Sequence, residues 1–71
     1  MKRATLDREV PHRELYRVEE AVVLLSIGRS QLYELIRSGR IRSVTEGRLR
    51  LIPASAIRDY VELLVTEASR G

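Results

Sequence analysis

The sequence predicts a small, mainly α-helical domain with one β-hairpin. Two short apolar patterns of helical spacing are separated by a three-residue break at 26–28. Two short strand patterns surround Gly47, and a further helical pattern follows Pro53. Helix, turn, helix, two-stranded wing and closing helix, in this order, are the elements of a winged helix-turn-helix.

The first helix is expected from Val18 to Leu25, where apolar residues recur at i, i+3, i+4 and i+7. Glu19 and Glu20 fall in its first turn, where the positive end of the helix dipole favours carboxylates. Such a short helix depends on packing against its neighbours. The residues expected to face the core are Val18, Ala21, Val22 and Leu25.

The second helix is expected to start after Gly28, which can act as its N-cap, and to end at Gly39, a residue suited to a left-handed C-terminal cap. Positions four apart on a helix lie on the same face, so one edge presents a guanidinium, a phenol and a second guanidinium. These residues are Arg29, Tyr33 and Arg37, whereas the core stripe is Leu32, Leu35 and Ile36.

The two strands of the wing are expected at 41–44 and 48–52, joined by a turn in which Gly47 takes a positive φ. Because side chains alternate along a strand, the second strand should have one basic face and one core face. The basic face is Arg48 and Arg50, and the core face is Leu49 and Leu51.

The closing helix is expected to begin at Pro53, since the first helical position needs no N–H donor. Leu63 and Val65 lie off its core stripe, and they are either a contact for a partner or isolated exposed apolar residues. The stripe itself is Ile57, Tyr60, Val61 and Leu64.

The chain is organised as one domain with short ends. Residues 1–15 mix charges around Pro11 without helical spacing, which predicts a flexible N-terminal arm. Residues 16–67 form the winged helix-turn-helix domain, and 68–71 form a C-terminal tail. A chain of this size buries only about 60% of its unfolded surface, so an enclosed active site is hard to accommodate.

The composition argues against several classes of function. No cysteine is present, which excludes disulfides and thiolate zinc sites, and His12 is the single histidine. We therefore expect no enzyme activity, no metal, no cofactor and no small-molecule ligand. The longest apolar runs have four or five residues, against about 20 for a membrane span. The expected location is the cytoplasm, in association with the nucleoid.

Positive charge is concentrated in the second helix and the hairpin. From residue 26 to 52 there are six arginines and two glutamates, a net +4, while the whole chain has a net charge of +3. This distribution is typical of a nucleic-acid-binding face. If the arginines only solvate the surface, a protein-binding adaptor is the alternative.

The run from Tyr16 to Leu64 resembles the excisionase-type (MerR-like) winged helix-turn-helix DNA-binding domains of phages and integrative elements. The resemblance rests on VEEAVVLL, SIGRSQLYELIRSGRI and GRLRLIPASAIRDYV, which correspond to the first helix, the turn with recognition helix, and the wing with closing helix. Two positions differ from the family pattern. Arg17 stands where a Ser or Thr usually precedes the first helix, and Leu49 stands where the wing often has a basic residue.

The resemblance implies a division of the polar residues among three kinds of DNA contact. A helix fits the major groove, and arginine is attracted to a narrow minor groove. The implied major-groove residues are Arg29, Ser30, Gln31 and Tyr33; the implied phosphate contacts are Arg37, Arg40 and Arg42; the implied minor-groove contacts of the wing are Arg48 and Arg50.

The function implied is that of a sequence-specific, architectural DNA-binding protein. As an excisionase, or recombination directionality factor, it would bind and bend attachment-site DNA and promote excision by a partner integrase. Copies of the protein can associate cooperatively on the DNA. The alternative is a small winged helix-turn-helix transcription regulator that uses the same face at a promoter.

Overall fold

The computed structural model describes residues 10–70 of the chain. Within that range it contains three helices and a three-stranded antiparallel sheet of order β1-β3-β2. The prediction of a mainly helical domain with a wing is confirmed. The elements are β1 (Leu15–Arg17), α1 (Val18–Leu25), α2 (Arg29–Ser38), β2 (Val44–Glu46), β3 (Leu49–Pro53) and α3 (Ala54–Arg70).

The turn between α1 and α2 has the predicted bounds. Ser26 follows α1 in the left-handed region, with φ 58°, and donates its N–H to the carbonyl of Val23 at 3.3 Å. Gly28 is the extended N-cap of α2, and Gly39 ends that helix with φ 86°. The two helices therefore begin and end at the residues that the apolar spacing and the glycines predicted.

The start of α1 is stabilised without a side-chain acceptor at the N-cap. Arg17 has no acceptor to offer, but the carboxylate of Glu20 accepts the Arg17 backbone N–H at 2.8 Å. The same carboxylate accepts a hydrogen bond from the Arg13 guanidinium at 3.0 Å. Glu20 thus supplies one half of a capping box, while the half that a Ser or Thr side chain would supply is missing.

Strand β1 was not predicted, and it includes Leu15, which the sequence analysis assigned to the flexible arm. It pairs with β3, placing Tyr16 opposite Ile52, and the Glu14 carbonyl accepts the Ala54 N–H at 2.9 Å. A three-residue strand has too few positions to show an alternating pattern, and its partner lies far along the chain. The arm prediction for residues 1–9 lies outside the described residues.

The hairpin turn lies two residues later than predicted. β2 ends at Glu46, so Gly47, with φ 62°, and Arg48 form the turn. The expected core face of β3 was also wrong: Ile52 is fully buried and Leu49 is 41% exposed. Alternation identifies two faces but not which one is inward, and the inward face of β3 is set by the contact of Ile52 with the core.

The core lies between the helices and one face of the sheet. The predicted stripes of α1 and α2 pack there, with Leu32 fully buried. In α3, however, Val61 and Leu64 are exposed, and Leu63 packs against the core. The closing helix also starts at Ala54, one residue after the predicted Pro53, and extends to Arg70, within the predicted tail. The buried residues are Tyr16, Val18, Ala21, Leu32, Ile41, Ile52, Ala56 and Tyr60.

Candidate nucleic-acid interface

The exposed side of α2 is fixed by the burial of Leu32. Its side chain is fully buried in the core, so the neighbouring polar positions in the first turns of the helix face solvent. The four residues predicted to lie in the major groove are all exposed: Arg29, Ser30, Gln31 and Tyr33. One continuous helical surface therefore presents them together.

Two adjoining depressions between α2 and β3 share Tyr33 and Arg50. One has a volume of about 550 Å³ and the other about 320 Å³, and both are open to solvent. We call the two together the arginine cleft. Its polar lining consists of Arg17, Glu19, Arg29, Tyr33, Arg37, Arg48 and Arg50.

The two arginines of the wing occupy different positions. Arg48 is in the hairpin turn, at the tip of the wing. Arg50 is on the same face of β3 as the buried Ile52, so it faces α2, and its guanidinium donates to Ser43 Oγ at 2.8 Å. Neither arginine forms an ion pair with another of the residues 10–70.

Two cleft arginines have exposed carboxylate partners. Arg37 pairs with Glu34, one turn earlier on α2. The Arg29 guanidinium lies 3.9 Å from the carboxylate of Glu19 on α1. Because all four side chains are more than half exposed, these pairs contribute little to stability.

Arg40 and Arg42, in the loop between α2 and β2, are bound to α3 instead. Arg40 makes two hydrogen bonds to Glu67, of 2.9 and 3.2 Å, and its guanidinium lies 5.9 Å from the centre of the Tyr60 ring. Arg42 donates to Asp59 at 2.8 Å. The hydrogen bonds with Glu67 raise the pKa of Arg40 and lower the pKa of Glu67. These loop arginines do not line the cleft.

The structure therefore brings together most, but not all, of the predicted contact residues. Arg29, Tyr33, Arg37, Arg48 and Arg50 meet at one cleft. Ser30 and Gln31 are exposed on α2 but do not line the cleft, and the loop arginines lie against α3. The sequence analysis missed Arg17 and Glu19 as parts of the interface. An arginine in place of the usual capping residue was the one signal that could have drawn attention to Arg17.

Other kinds of site find little support in the described part of the chain. Residues 10–70 contain no group of three or more His, Asp or Glu side chains placed to hold a metal ion. His12 lines a separate groove beside Tyr16 and Leu24. No helix within the same range has both the length and the apolar character needed to cross a bilayer.

Comparison with known proteins gives two kinds of match. Residues 15–62 match a family described as a helix-turn-helix domain. A probable excisionase of Saccharopolyspora erythraea is 48% identical over 62 residues, which cover 87% of this chain but only 63% of that protein. An excisionase of Streptomyces ambofaciens is 38% identical over 55 residues, covering 78% of this chain and 89% of that protein. No solved structure gave a significant match.

Proposed function

This chain belongs to the excisionase-type family of helix-turn-helix proteins, and we propose on that basis that it binds duplex DNA as an architectural factor in excision. The family resemblance inferred from the sequence is confirmed. The observation that supports DNA binding most strongly is the arginine cleft, in which five arginines surround one tyrosine and one glutamate. Arginine pairs bidentately with phosphate and with guanine, so this lining suits a nucleic acid.

We propose that one strand of the DNA lies along the cleft. A helix in the major groove and a wing in the adjacent minor groove lie on opposite sides of one sugar-phosphate strand. That strand would run along the cleft between α2 and β3. Arg17, Arg37 and Arg50 are therefore proposed to bind its phosphates, because phosphate contacts fix the register of a protein on the duplex.

Base recognition is proposed for the exposed first turns of α2 and for the tip of the wing. Arg29, Ser30, Gln31 and Tyr33 are proposed to contact base edges in the major groove, and their exposure on α2 supports this assignment. Arg48, in the turn, is proposed to enter the minor groove, where a narrow A/T-rich groove attracts arginine. Arg50 is assigned to the phosphates and not to the minor groove, since it faces α2.

The loop arginines have a different role in this proposal. Arg40 and Arg42 already have carboxylate partners on α3, so a phosphate would have to replace Glu67 or Asp59. We assign to these arginines mainly the positioning of α3 against the end of α2. A phosphate contact by either residue would add less affinity than a contact by a cleft arginine without a carboxylate partner, such as Arg50.

A role in excision is proposed because the two relatives are named as excisionases. One protein occupying two adjacent grooves favours a bent duplex, because bending can increase the contacts that the protein makes. Bent attachment-site DNA would bring distant integrase sites together, with an integrase and further copies of this chain as partners. No catalytic group is needed for such a role.

Two measurements on attachment-site DNA test the proposal. In a gel-shift assay, the protein should bind a duplex from the attachment site of the element that encodes it more tightly than a shuffled duplex. In a reconstituted reaction, adding the protein to the cognate integrase should raise the yield of excised circles. Absence of duplex binding at low salt would refute the proposal. Binding at a promoter together with no effect on excision would replace it by transcription regulation.

A further inference from the structure

One carboxylate lies among the arginines of the cleft. Glu19, in the first turn of α1, places its carboxylate 3.9 Å from the guanidinium of Arg29, the first residue of α2. It is the one acidic side chain that lines either depression within the described residues. Both members of the pair remain more than half exposed.

The dipole of α1 favours a carboxylate at Glu19 as it does at Glu20, but neither DNA affinity nor the ion pair with Arg29 accounts for a carboxylate that lines the cleft. A negative charge beside a phosphate path weakens the binding of every DNA sequence. An ion pair this exposed also adds little to the stability of the fold. The cap of α1 does not depend on the residue either, because Glu20 accepts the N-cap hydrogen bond.

We infer that Glu19 is a positioning residue that sets how strongly Arg29 discriminates between DNA sequences; this inference rests on the proposed function. A guanidinium has five N–H donors in one plane, and a guanine uses two of them. A carboxylate 3.9 Å away can therefore attract the remaining donors while Arg29 contacts the base. This attraction favours side-chain conformations that keep the Arg29 guanidinium beside the start of α1 before DNA arrives, so less side-chain freedom is lost on binding.

The effect differs between preferred and unrelated DNA. On a preferred site Arg29 binds its base. The benefit of having Arg29 oriented by Glu19 then offsets the repulsion between the Glu19 carboxylate and nearby phosphates. On an unrelated sequence Arg29 has no matching base, so the repulsion acts alone. Glu19 thus lowers non-specific binding more than specific binding, which is a way of gaining specificity by penalising the wrong partner.

The test compares Glu19→Gln with the wild type on two duplexes. One is the sequence that the wild type selects from a random pool, and the other is a shuffled duplex of the same composition. We expect the affinity of the variant for the shuffled duplex to rise about three- to tenfold, with a smaller change on the selected duplex. On the shuffled duplex, the slope of log K against log salt should steepen by about 0.9, because the released Arg29 can neutralise one more phosphate.

Glu34→Gln provides the matched control. It also removes an exposed carboxylate paired with an arginine of α2, but that arginine, Arg37, is assigned to phosphate. Its substitution should raise the affinity for both duplexes equally and leave their ratio unchanged. Thermal melting should show that neither variant is unfolded.

A double-variant cycle shows whether Glu19 acts through Arg29. In an Arg29→Ala background, Glu19→Gln should leave the ratio of the two affinities unchanged. The inference is overturned if the single variant changes both affinities by the same factor, or if the ratio falls as much without Arg29 as with it. A wild-type protein that binds neither duplex would instead refute the proposed function.

Discussion

The cleft arginines and the loop arginines differ in what surrounds them, although both groups come from one basic stretch of the chain. Arg48 and Arg50 face an open cleft and form no ion pair with other residues in the range 10–70. Arg40 and Arg42 are hydrogen-bonded to carboxylates of α3. Net charge along a segment therefore does not identify its DNA contacts, because some of that charge is already compensated within the fold.

Arginine has a different role in each of the two groups. In the loop, Arg40 combines two hydrogen bonds to Glu67 with a position over the Tyr60 ring, so one side chain links the end of α2 to α3. In the cleft, arginines supply donors that are available to an external anion. Substitutions in the two groups should therefore have different effects: loss of DNA binding in the cleft and, at the less exposed Arg40, a loss of stability.

The largest effect on sequence preference is expected for Arg29→Ala. Removing a bidentate contact to a base should weaken binding to the selected duplex by roughly 1 to 3 kcal/mol. Binding to a shuffled duplex should change much less. Fluorescence anisotropy titrations with both duplexes measure the difference, and an equal loss on the two would assign Arg29 to phosphate instead.

A smaller effect is expected for Arg48→Ala at the tip of the wing. Its contact in the minor groove should matter most where the flanking sequence is A/T-rich, since the negative potential is strongest there. The ratio of affinities for A/T-rich and G/C-rich flanks should fall in this variant. Arg50→Ala is the control, because it should weaken both probes alike. An unchanged ratio in Arg48→Ala would show that the tip of the wing stays outside the minor groove.

The smallest effect on DNA binding is expected for Glu67→Gln, which removes the carboxylate partner of Arg40. The pKa of Glu67 is lowered in the folded protein, mainly by the hydrogen bond from Arg40, so the carboxylate stabilises the fold above its ordinary pKa. This contribution is lost as the pH falls through the lowered pKa. The variant should therefore melt at a lower temperature than the wild type at neutral pH.

The same difference in melting temperature should shrink as the solution is made acidic. Thermal denaturation followed by circular dichroism, from neutral pH down to a pH below the lowered pKa of Glu67, tests this expectation. The control is Glu62→Gln, since Glu62 lies on the same helix and forms no ion pair with the other described residues. A melting difference that does not depend on pH would contradict the assigned role of the Glu67 carboxylate.

The sequence was sufficient for α1 and α2 because local signals define both. Apolar spacing gives their buried stripes, and Gly28 and Gly39 mark the ends of α2. Which face of α3 is buried was harder to predict, because apolar residues occupy so many positions that two different stripes fit the helical spacing. The observed core stripe contains Ala56, Tyr60 and Leu63, and the small Ala56 did not indicate in the sequence that this stripe is the buried one.

The parts of the site that lie on a single helix could be predicted from the sequence. The parts that depend on contacts between several helices and strands could not. The exposed edge of α2 follows from helical spacing alone, as for Arg29 and Tyr33. Arg17 and Glu19 join the cleft because the start of α1 packs beside α2 and β3, and no local pattern describes that contact. The ion pairs of the loop arginines with α3 likewise join residues that are distant in sequence.

The most direct test of the central claim is the salt dependence of binding for two double variants on one duplex. In Arg17→Ala/Arg50→Ala, the slope of log K against log salt should become shallower by about 1.8, because two phosphate contacts are lost. In Arg40→Ala/Arg42→Ala the slope should stay close to that of the wild type. Equal reductions in both variants, or a larger reduction in the loop variant, would contradict the claim that the cleft arginines are the phosphate contacts.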